Sequence, residues 1–589
     1  MPHSIEEVLK RAVEFHSKGE VDAAKPLYSF VLQQDPEQTD AHHLLGLLAH
    51  QEGRSEEALA HISKAVELAP DYPQYRVNLG VVLQDIGKQD EAIAELRQAL
   101  ALDPRLAETH YNLGNALLKR GDEDEALACF QQAVSLRSDY SEALSNLGLI
   151  LRGRDEPELS LAYLEKAVNV AAPFPPAFSN LCAAYAEVGR YREAVVAGRR
   201  ATELLPQDAS AHYNLGNGLI GMEDPVAAAA SYRTAVELKP EYADAWCNLG
   251  VSLVDQTEPE EAVAAFDRAL ALDSGLADAH WNRALALLMM GRFREGWQAY
   301  EWRWEAVPWL DRRTFEVPQW RGEALEGQTV LVHTEQGYGD TLLFMRYVPE
   351  IRRKGGRVRL ACQPALKRLL AAFPGIESVS EYGEAPGAFD LHLPIMSLPG
   401  AIGVEWPNCF ADAIPYISAP PCAQLEVTSE TRPRIGIVWR ASRINARGLF
   451  RSCSLDDLEP ILSSACCRFY SFQMDAEDHE RRTLDRLGVI DLSEKIGDFA
   501  DTAAATAYMD LVITVDTAQA HVAGALGIPV WTLLVRAADW RWFLDPVLTP
   551  WYPKMRLFRQ KDYGDWRKPI GDVANALPSF IKGITRDEE

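Results

Sequence analysis

No run of 18 apolar residues occurs anywhere in the chain, so no helix is expected to cross a membrane. The oiliest stretch, Val522–Val535, contains Pro529 and reads as a buried strand and turn. The nine cysteines include no CxxC pair and no metal-ligand spacing, which fits reduced thiols in a cytoplasmic protein and gives no expectation of a bound metal. The opening MPHSIEEVLKR has no apolar core of the kind a secretory signal needs. Basic charge is in deficit, with 59 Lys and Arg against 85 Asp and Glu and a net charge of −26. Phosphate would be repelled at long range, which argues against a general nucleic-acid or anionic-membrane binder. Tryptophan is scarce at first: of 14, only Trp246 precedes Trp281. That asymmetry excludes one architecture throughout.

What the first half has is repetition. The phrase HYNLGN occurs at His110–Asn115 and again at His212–Asn217. Gly46, Gly80, Gly114, Gly148, Gly216 and Gly250 lie on one 34-residue register, with Cys182 in the intervening slot. Ala58, Ala92, Ala126, Ala194, Ala228 and Ala262 share that period, and Pro36, Pro70, Pro104, Pro206 and Pro240 close repeats. Small residues at two fixed places let paired helices approach closely, and proline fits where one helix stops. The pattern resembles the tetratricopeptide repeat. Eight repeats are expected from about residue 5 to 274, with a divergent ninth helix pair to about 305, and repeat five is irregular.

A second series follows the same period: Asn78, Asn112, Asn146, Asn180, Asn214, Asn248 and Asn282. Equivalent positions of a solenoid form a line, and in the resembling repeats this one faces the concave groove. An Asn amide offers one acceptor and two donors, matching a peptide unit, so the seven could hold an extended acceptor protein by its backbone. The same amides also fit a plain role bridging neighbouring helices.

The second half gains Trp, Pro and β-branched runs. Glu301–Ala324 (EWRWEAVPWLDRRTFEVPQWRGEA) is too aromatic for a flexible linker and is expected to be a packed joint. Strands are expected at Val330–His333, RVRLAC and within FDLHLPIMSLP, the last projecting His392, and again in RIGIVWRAS, RFYSFQ and DLVITVDT. Alternation with helices implies parallel, doubly wound sheets, the Pro-rich stretch 417–433 being the hinge between two of them. The sharpest site candidate is VITVDTAQAHVAGALG, where Asp516 and Thr517 form the turn and a small-residue helix begins at Ala518. Its free N–H groups and dipole suit an anion.

The ordered series GYGDTLLF, DLHLPIMSLP, GIVWRAS, SFQ, DTAQAHVAGALGIPVW, DWRWFLD and PWYPKMRLFRQ resembles the catalytic region of bacterial tetratricopeptide-repeat glycosyltransferases. These are GT-B proteins similar to lipopolysaccharide heptosyltransferases, and the overall plan resembles the O-linked N-acetylglucosamine transferases. The resemblance implies an all-α solenoid at 5–305 followed by two Rossmann-like α/β halves, 306–425 and 426–589. It also implies transfer of a sugar from a nucleotide-sugar co-substrate, with no other cofactor, to a protein held in the repeat groove, flagellin being one such acceptor. By the same resemblance Asp340 is the general base, with His333 as the alternative. Gly337, Gly339, Arg440, Gln473, Asp516, Thr517 and His521 serve the donor, and Arg443 and Arg447 would add positive charge. Trp540, Arg541 and Trp542 either line the cleft or belong to the core. No Asp-x-Asp occurs in residues 301–589, which favours charge stabilisation by helix dipole and arginine, with no metal ligands assigned. Two other functions fit the residues: a scaffold whose second half is inactive, or a transferase acting on lipopolysaccharide or another glycan.

Overall fold

The computed structural model describes residues 4–406, 414–421, 432–441 and 451–587, with 585–587 described by backbone alone. Met1–Pro240 and Glu241–Glu589 form two compact units.

In the first unit fourteen helices, from Ile5–Ser17 to Pro225–Leu238, pair in chain order into seven hairpins. The register glycines explain the pairing. A Cβ on Gly46, Gly80, Gly114, Gly148 or Gly216 would lie 2.4–2.7 Å from Ile62, Leu96, Phe130, Leu164 or Tyr232. Each collision partner stands at the same offset from its glycine, in the second helix of the same pair. Repeat six inverts this arrangement. Cys182 holds the glycine slot and Gly198 stands in the partner slot, where a Cβ would come within 2.9 Å of the Cys182 Sγ. The side chain between the paired helices is here carried by the first helix, and a Cβ on Gly198 would also lie 3.1 Å from Leu215 of the next repeat. Irregular repeat five keeps the pairing too: Ser160 takes the alanine slot, fully buried, and donates to the Gly148 carbonyl at 2.8 Å.

HYNLGN can now be read residue by residue. His110 and His212 use Nε2 to reach the carbonyls of Pro104 and Pro206, at 3.0 and 3.1 Å, which satisfies a carbonyl left over after the preceding helix. Tyr111 packs on Phe130 and Tyr140, and Tyr213 on Tyr232. Leu113 and Leu215 are buried.

The turn within each pair has a residue of positive φ. Gly19, Gly53, Gly87, Gly121 and Gly189 fill it in five pairs of the first unit, and Asp155 and Glu223 in the other two, at φ 60 and 61°. In the second unit it falls to Thr257 (φ 64°) and Gly291.

The second unit opens with two more pairs, Ala243–Asp255 with Pro259–Leu272 and Ala277–Met289 with Phe293–Tyr300. Two parallel sheets follow. The first holds β1 (Thr329–His333), β2 (Arg357–Cys362), β3 (Ile376–Glu381) and β4 (Leu391–Pro394), in the order β3-β2-β1-β4. The second holds β5 (Arg434–Val438), β6 (Arg468–Ser471), β7 (Ile490–Asp491), β8 (Leu511–Val515), β9 (Val530–Leu534) and β10 (Met555–Arg559), ordered β10-β9-β8-β5-β6-β7. Every registered pair is parallel. β1, β8 and β9 are buried along their whole length, as expected of strands covered on both faces. The order reverses between β1 and β4 and between β5 and β8, so each sheet has a crevice at the carboxyl ends of those strands.

The aromatic stretch after the last pair is packed at its core and open at its edge. Trp297, Tyr300, Trp320, Phe344, Trp540 and Trp551 share one apolar cluster, while Trp309 is 72% exposed. Fully buried Arg303 donates to Glu301, Glu335 and Ser397 at 2.9, 3.0 and 2.7 Å. Of the stretch expected to be a hinge, residues 422–431 lie outside the described residues.

Candidate functional site

β1 ends at His333, and the turn after it leads into the helix Tyr338–Phe344. Asp340 stands in that helix's first turn and accepts the Gly337 N–H at 3.0 Å through Oδ2. It therefore caps the helix. Its other oxygen forms an ion pair with Arg541, which lies far along the chain beyond the second sheet's β9. Burial pushes the Asp340 carboxyl above its usual range; Arg541 opposes this, and Asp539 and Asp516 add to it.

Gly339 is where the two sheets' helices touch. A Cβ there would sit 2.8 Å from His521 Cδ2 and 3.6 Å from Ala518 Cα, so the glycine is required for close approach. The helix Ala518–Ala525 follows β8 at the switch point of the second sheet. Thr517 is its N-cap in extended conformation, but its hydroxyl turns back to Thr514 at 2.9 Å and caps nothing. Its carbonyl accepts the Ala520 N–H. Among the described residues the amides of Ala518 and Gln519 have no acceptor, and the Cα of Ala518 lies close to Gly339 in the Asp340 turn. Asp516 is buried and paired with Arg451 at 3.1 Å.

His521 is buried, stacks on Trp542 and bonds the Tyr552 hydroxyl through Nδ1 at 3.0 Å. Burial, with help from Arg541 and Arg346, drops its imidazole to about 3. The neutral ring can donate from Nε2 only when Tyr552 donates to Nδ1.

Three motif segments thus converge on one turn. Asp539 accepts the Arg541 main-chain N–H at 3.1 Å and its guanidinium at 2.5 Å. Trp551 donates its indole N–H to the Arg541 carbonyl at 2.6 Å. Arg559, at the end of β10, holds the carbonyls of Trp542 and Phe543 at 3.1 and 3.0 Å. Phe543 itself sits at φ 50°, ψ −159°, a region almost confined to glycine. Trp540 and Trp542 are core residues, nearly or fully buried.

Other expected residues are placed elsewhere. His333 is buried against His392, Nε2 to Nδ1 at 3.2 Å, and Phe315; burial, then His392 and two arginines, lowers it to about 3. A ring so hard to protonate is a poor proton acceptor, and its partner is His392 rather than Asp340. Arg440 gives both guanidinium nitrogens to Glu480 at 2.9 Å. Gln473 accepts the Trp439 and Arg440 N–H groups and donates to Asp475 at 2.5 Å. Both side chains expected at the donor are spent on local structure. Among the described residues the cation paired with Asp516 is Arg451, next in the run Arg440, Arg443, Arg447. Arg443 and Arg447 lie outside the described residues.

In the first unit, the asparagine amides bridge helices. Asn78 meets His43 at 2.6 Å, Asn180 meets Ser145 at 3.0 Å and Asn214 meets Ser179 at 3.0 Å, each 35 residues back. Asn146 donates to Asn115 at 2.9 Å, and at Asn112 the Gln84 amide donates to the main-chain carbonyl at 3.1 Å. All five are half-buried. In the second unit Asn282 bonds the Asp278 carbonyl at 2.9 Å, and Asn248 is half-buried. Asn214 also reaches the Ser179 carbonyl, at 3.2 Å, so its amide serves two acceptors of the preceding repeat.

Comparison with known proteins agrees with this architecture. Tetratricopeptide-repeat family models match residues 15–78, 84–121, 105–172, 216–277 and 247–301. The helical half is a tetratricopeptide-repeat array. Such arrays bind other proteins on their concave face. Protein FlbA of Caulobacter vibrioides is 31% identical over 335 residues, covering 51% of this chain and 54% of FlbA, so the chain spans about half the length of that curated relative. Among solved structures, MamA is 25% identical, with 27% of this chain and 92% of that chain covered and a TM-score of 0.26. YrrB, described as a TPR protein with an unusual peptide-binding site, is 26% identical, with 31% and 95% covered and a TM-score of 0.27. Among the described residues, no helix is long and apolar enough to cross a membrane.

Arg451 and the pairing partner of Asp340 escaped the sequence reading. For the first, the available signal is that Arg451 continues the run through Arg447. For the second there is none, because nothing in the local sequence marks a pairing between segments so far apart.

Proposed function

We propose that the chain is a glycosyltransferase that moves a sugar from a nucleotide-sugar donor onto a protein held by the repeats. The observation carrying this reading is that the Asp340 turn, which follows β1, packs at Gly339 against the start of the helix after β8, where the amides of Ala518 and Gln519 have no acceptor among the described residues. An acceptor hydroxyl attacks the anomeric carbon as the bond to the donor phosphate breaks. Its proton passes to Asp340, and the charge that develops on the departing phosphate falls to the helix amides and Arg451. The recurrence of an asparagine amide at one repeat position supports backbone capture of an extended acceptor. Flagellin is the acceptor class that the motif resemblance suggests, and inversion at the anomeric carbon is taken from the same resemblance.

A panel of nucleotide sugars, read by released nucleotide, tests the donor half. Intact masses of cellular proteins, flagellin included, with and without the gene test the acceptor half. Unchanged masses together with no turnover of any donor defeat the reading. A second reading, an inactive scaffold, draws on Arg440 being consumed by Glu480, and those null results would favour it.

A further inference from the structure

We propose that Arg541 is a positioning residue for Asp340, holding its carboxylate in place and ionised, and that Asp539 sets how much of the Arg541 charge Asp340 receives. This deepens the proposed function and rests on it for the role of Asp340, but not for the coupling itself. Arg541 is fixed before any ligand arrives: Asp539 holds its N–H, Trp551 its carbonyl, and Arg559 the two carbonyls that follow. The strained backbone of Phe543 lies just beyond. The guanidinium lies over the Trp540 ring, 4.8 Å from its centre, and is shared between Asp340 and Asp539. Its Nε is buried without a partner among the described residues, and the ion pairs run through the two terminal nitrogens, one to each carboxylate.

The surroundings give the arrangement a sign. Around Asp340 stand Arg541 and Asp539 from the Trp540–Trp542 turn, Asp516 with its partner Arg451 from the β8 turn, His521 from the following helix, and Tyr300 from the last repeat. Three carboxylates face two guanidinium groups. Removing Arg541 leaves Asp340 among like charges, which favours its protonated form. Removing the charge of Asp539 gives Asp340 all of Arg541, which favours the ionised form.

The test uses the full chain. The pH dependence of turnover of whichever panel donor the parent consumes is compared in Arg541→Gln, Arg541→Lys and Asp539→Asn. The acidic limb should rise by about 1–3 pH units in Arg541→Gln, the range by which one adjacent opposite charge displaces a carboxyl. It should stay near the parent in Arg541→Lys and fall in Asp539→Asn. An unmoved limb, or both charge-removing variants moving it the same way, overturns the proposal and makes Arg541 a fastener between sheets. If the parent turns over no donor, the proposed function fails, yet the coupling is still readable. The Tm gap between parent and Arg541→Gln should widen from pH 4 to pH 8, and widen less when both also carry Asp340→Asn. The same widening in the Asp340→Asn background overturns the proposal. If Arg541→Gln does not fold, Asp539→Asn and Arg541→Lys carry both readouts.

Discussion

The repeat half and the α/β half solve the same packing problem by different means. In the repeats a hydrogen-bond or packing partner sits at a fixed offset: one constant spacing for a glycine and its intruding side chain, 35 for most bridging asparagines, six for a histidine and its carbonyl. In the α/β half the decisive partners are distant in sequence, Asp340 with Arg541 and Asp516 with Arg451, and no second instance repeats the pattern. Periodic contacts distribute stability along the array. Singular contacts concentrate charge at one place, where chemistry can use it.

The largest expected effect breaks the comparison at its singular end. Asp340→Asn should lower donor turnover by roughly 100- to 10,000-fold, the usual contribution of a positioned base, while leaving affinity for the acceptor protein unchanged in a separate titration. Parent-like turnover would reduce Asp340 to a helix cap. At the periodic end, Gly216→Val drives a branched side chain into Tyr232 and should cost about 1–3 kcal/mol in urea denaturation; adding Tyr232→Ala should recover part of that. A smaller effect is electrostatic. Burial lifts the Glu335 carboxyl to about 7 against the pull of Arg303, so the folded chain binds this proton more tightly than the unfolded chain does. That contribution is complete below the ordinary carboxylate range and is lost as pH rises through about 7. The stability of Glu335→Gln relative to the parent should therefore increase from pH 5 to pH 8, and a flat difference would contradict the burial argument. Next, alanine at Asn112, Asn146 and Asn214 should weaken acceptor binding about tenfold with donor binding intact, on the order of 0.5 kcal/mol for each hydrogen bond removed. Finally, Thr257→Gly should stabilise by about 1 kcal/mol, because a β-branched residue at positive φ is strained; an unchanged or lower Tm would count against strain at that turn.

Much of the array was legible because each position is written several times. One glycine could be chance, but six on one register require a neighbour that fills the space, and the structure supplies it in Ile62, Leu96, Phe130, Leu164, Tyr232 and Phe266. The positive-φ turn at Gly19, Gly53 and Gly87 was equally periodic and went unread, since Asp155, Glu223 and Thr257 interrupt it. In the α/β half β1, β2, β4, β5, β6 and β8 were legible as short apolar runs, whereas β3, β7 and β10 were not; Asp340, Asp516 and His521 were legible from their motifs. Their charges were not. Arg440 and Arg451 have the same chemistry in sequence, and only the fold puts one on Glu480 and the other on Asp516.

In repeat six Cys182 and Gly198 work only as a matched set: glycine in place of Cys182 leaves a hole, and any side chain at Gly198 meets the Cys182 Sγ and Leu215. Modules that look interchangeable on paper are keyed like a lock in this place. A chimera that imports one helix from a sister repeat would bring the wrong half of the key.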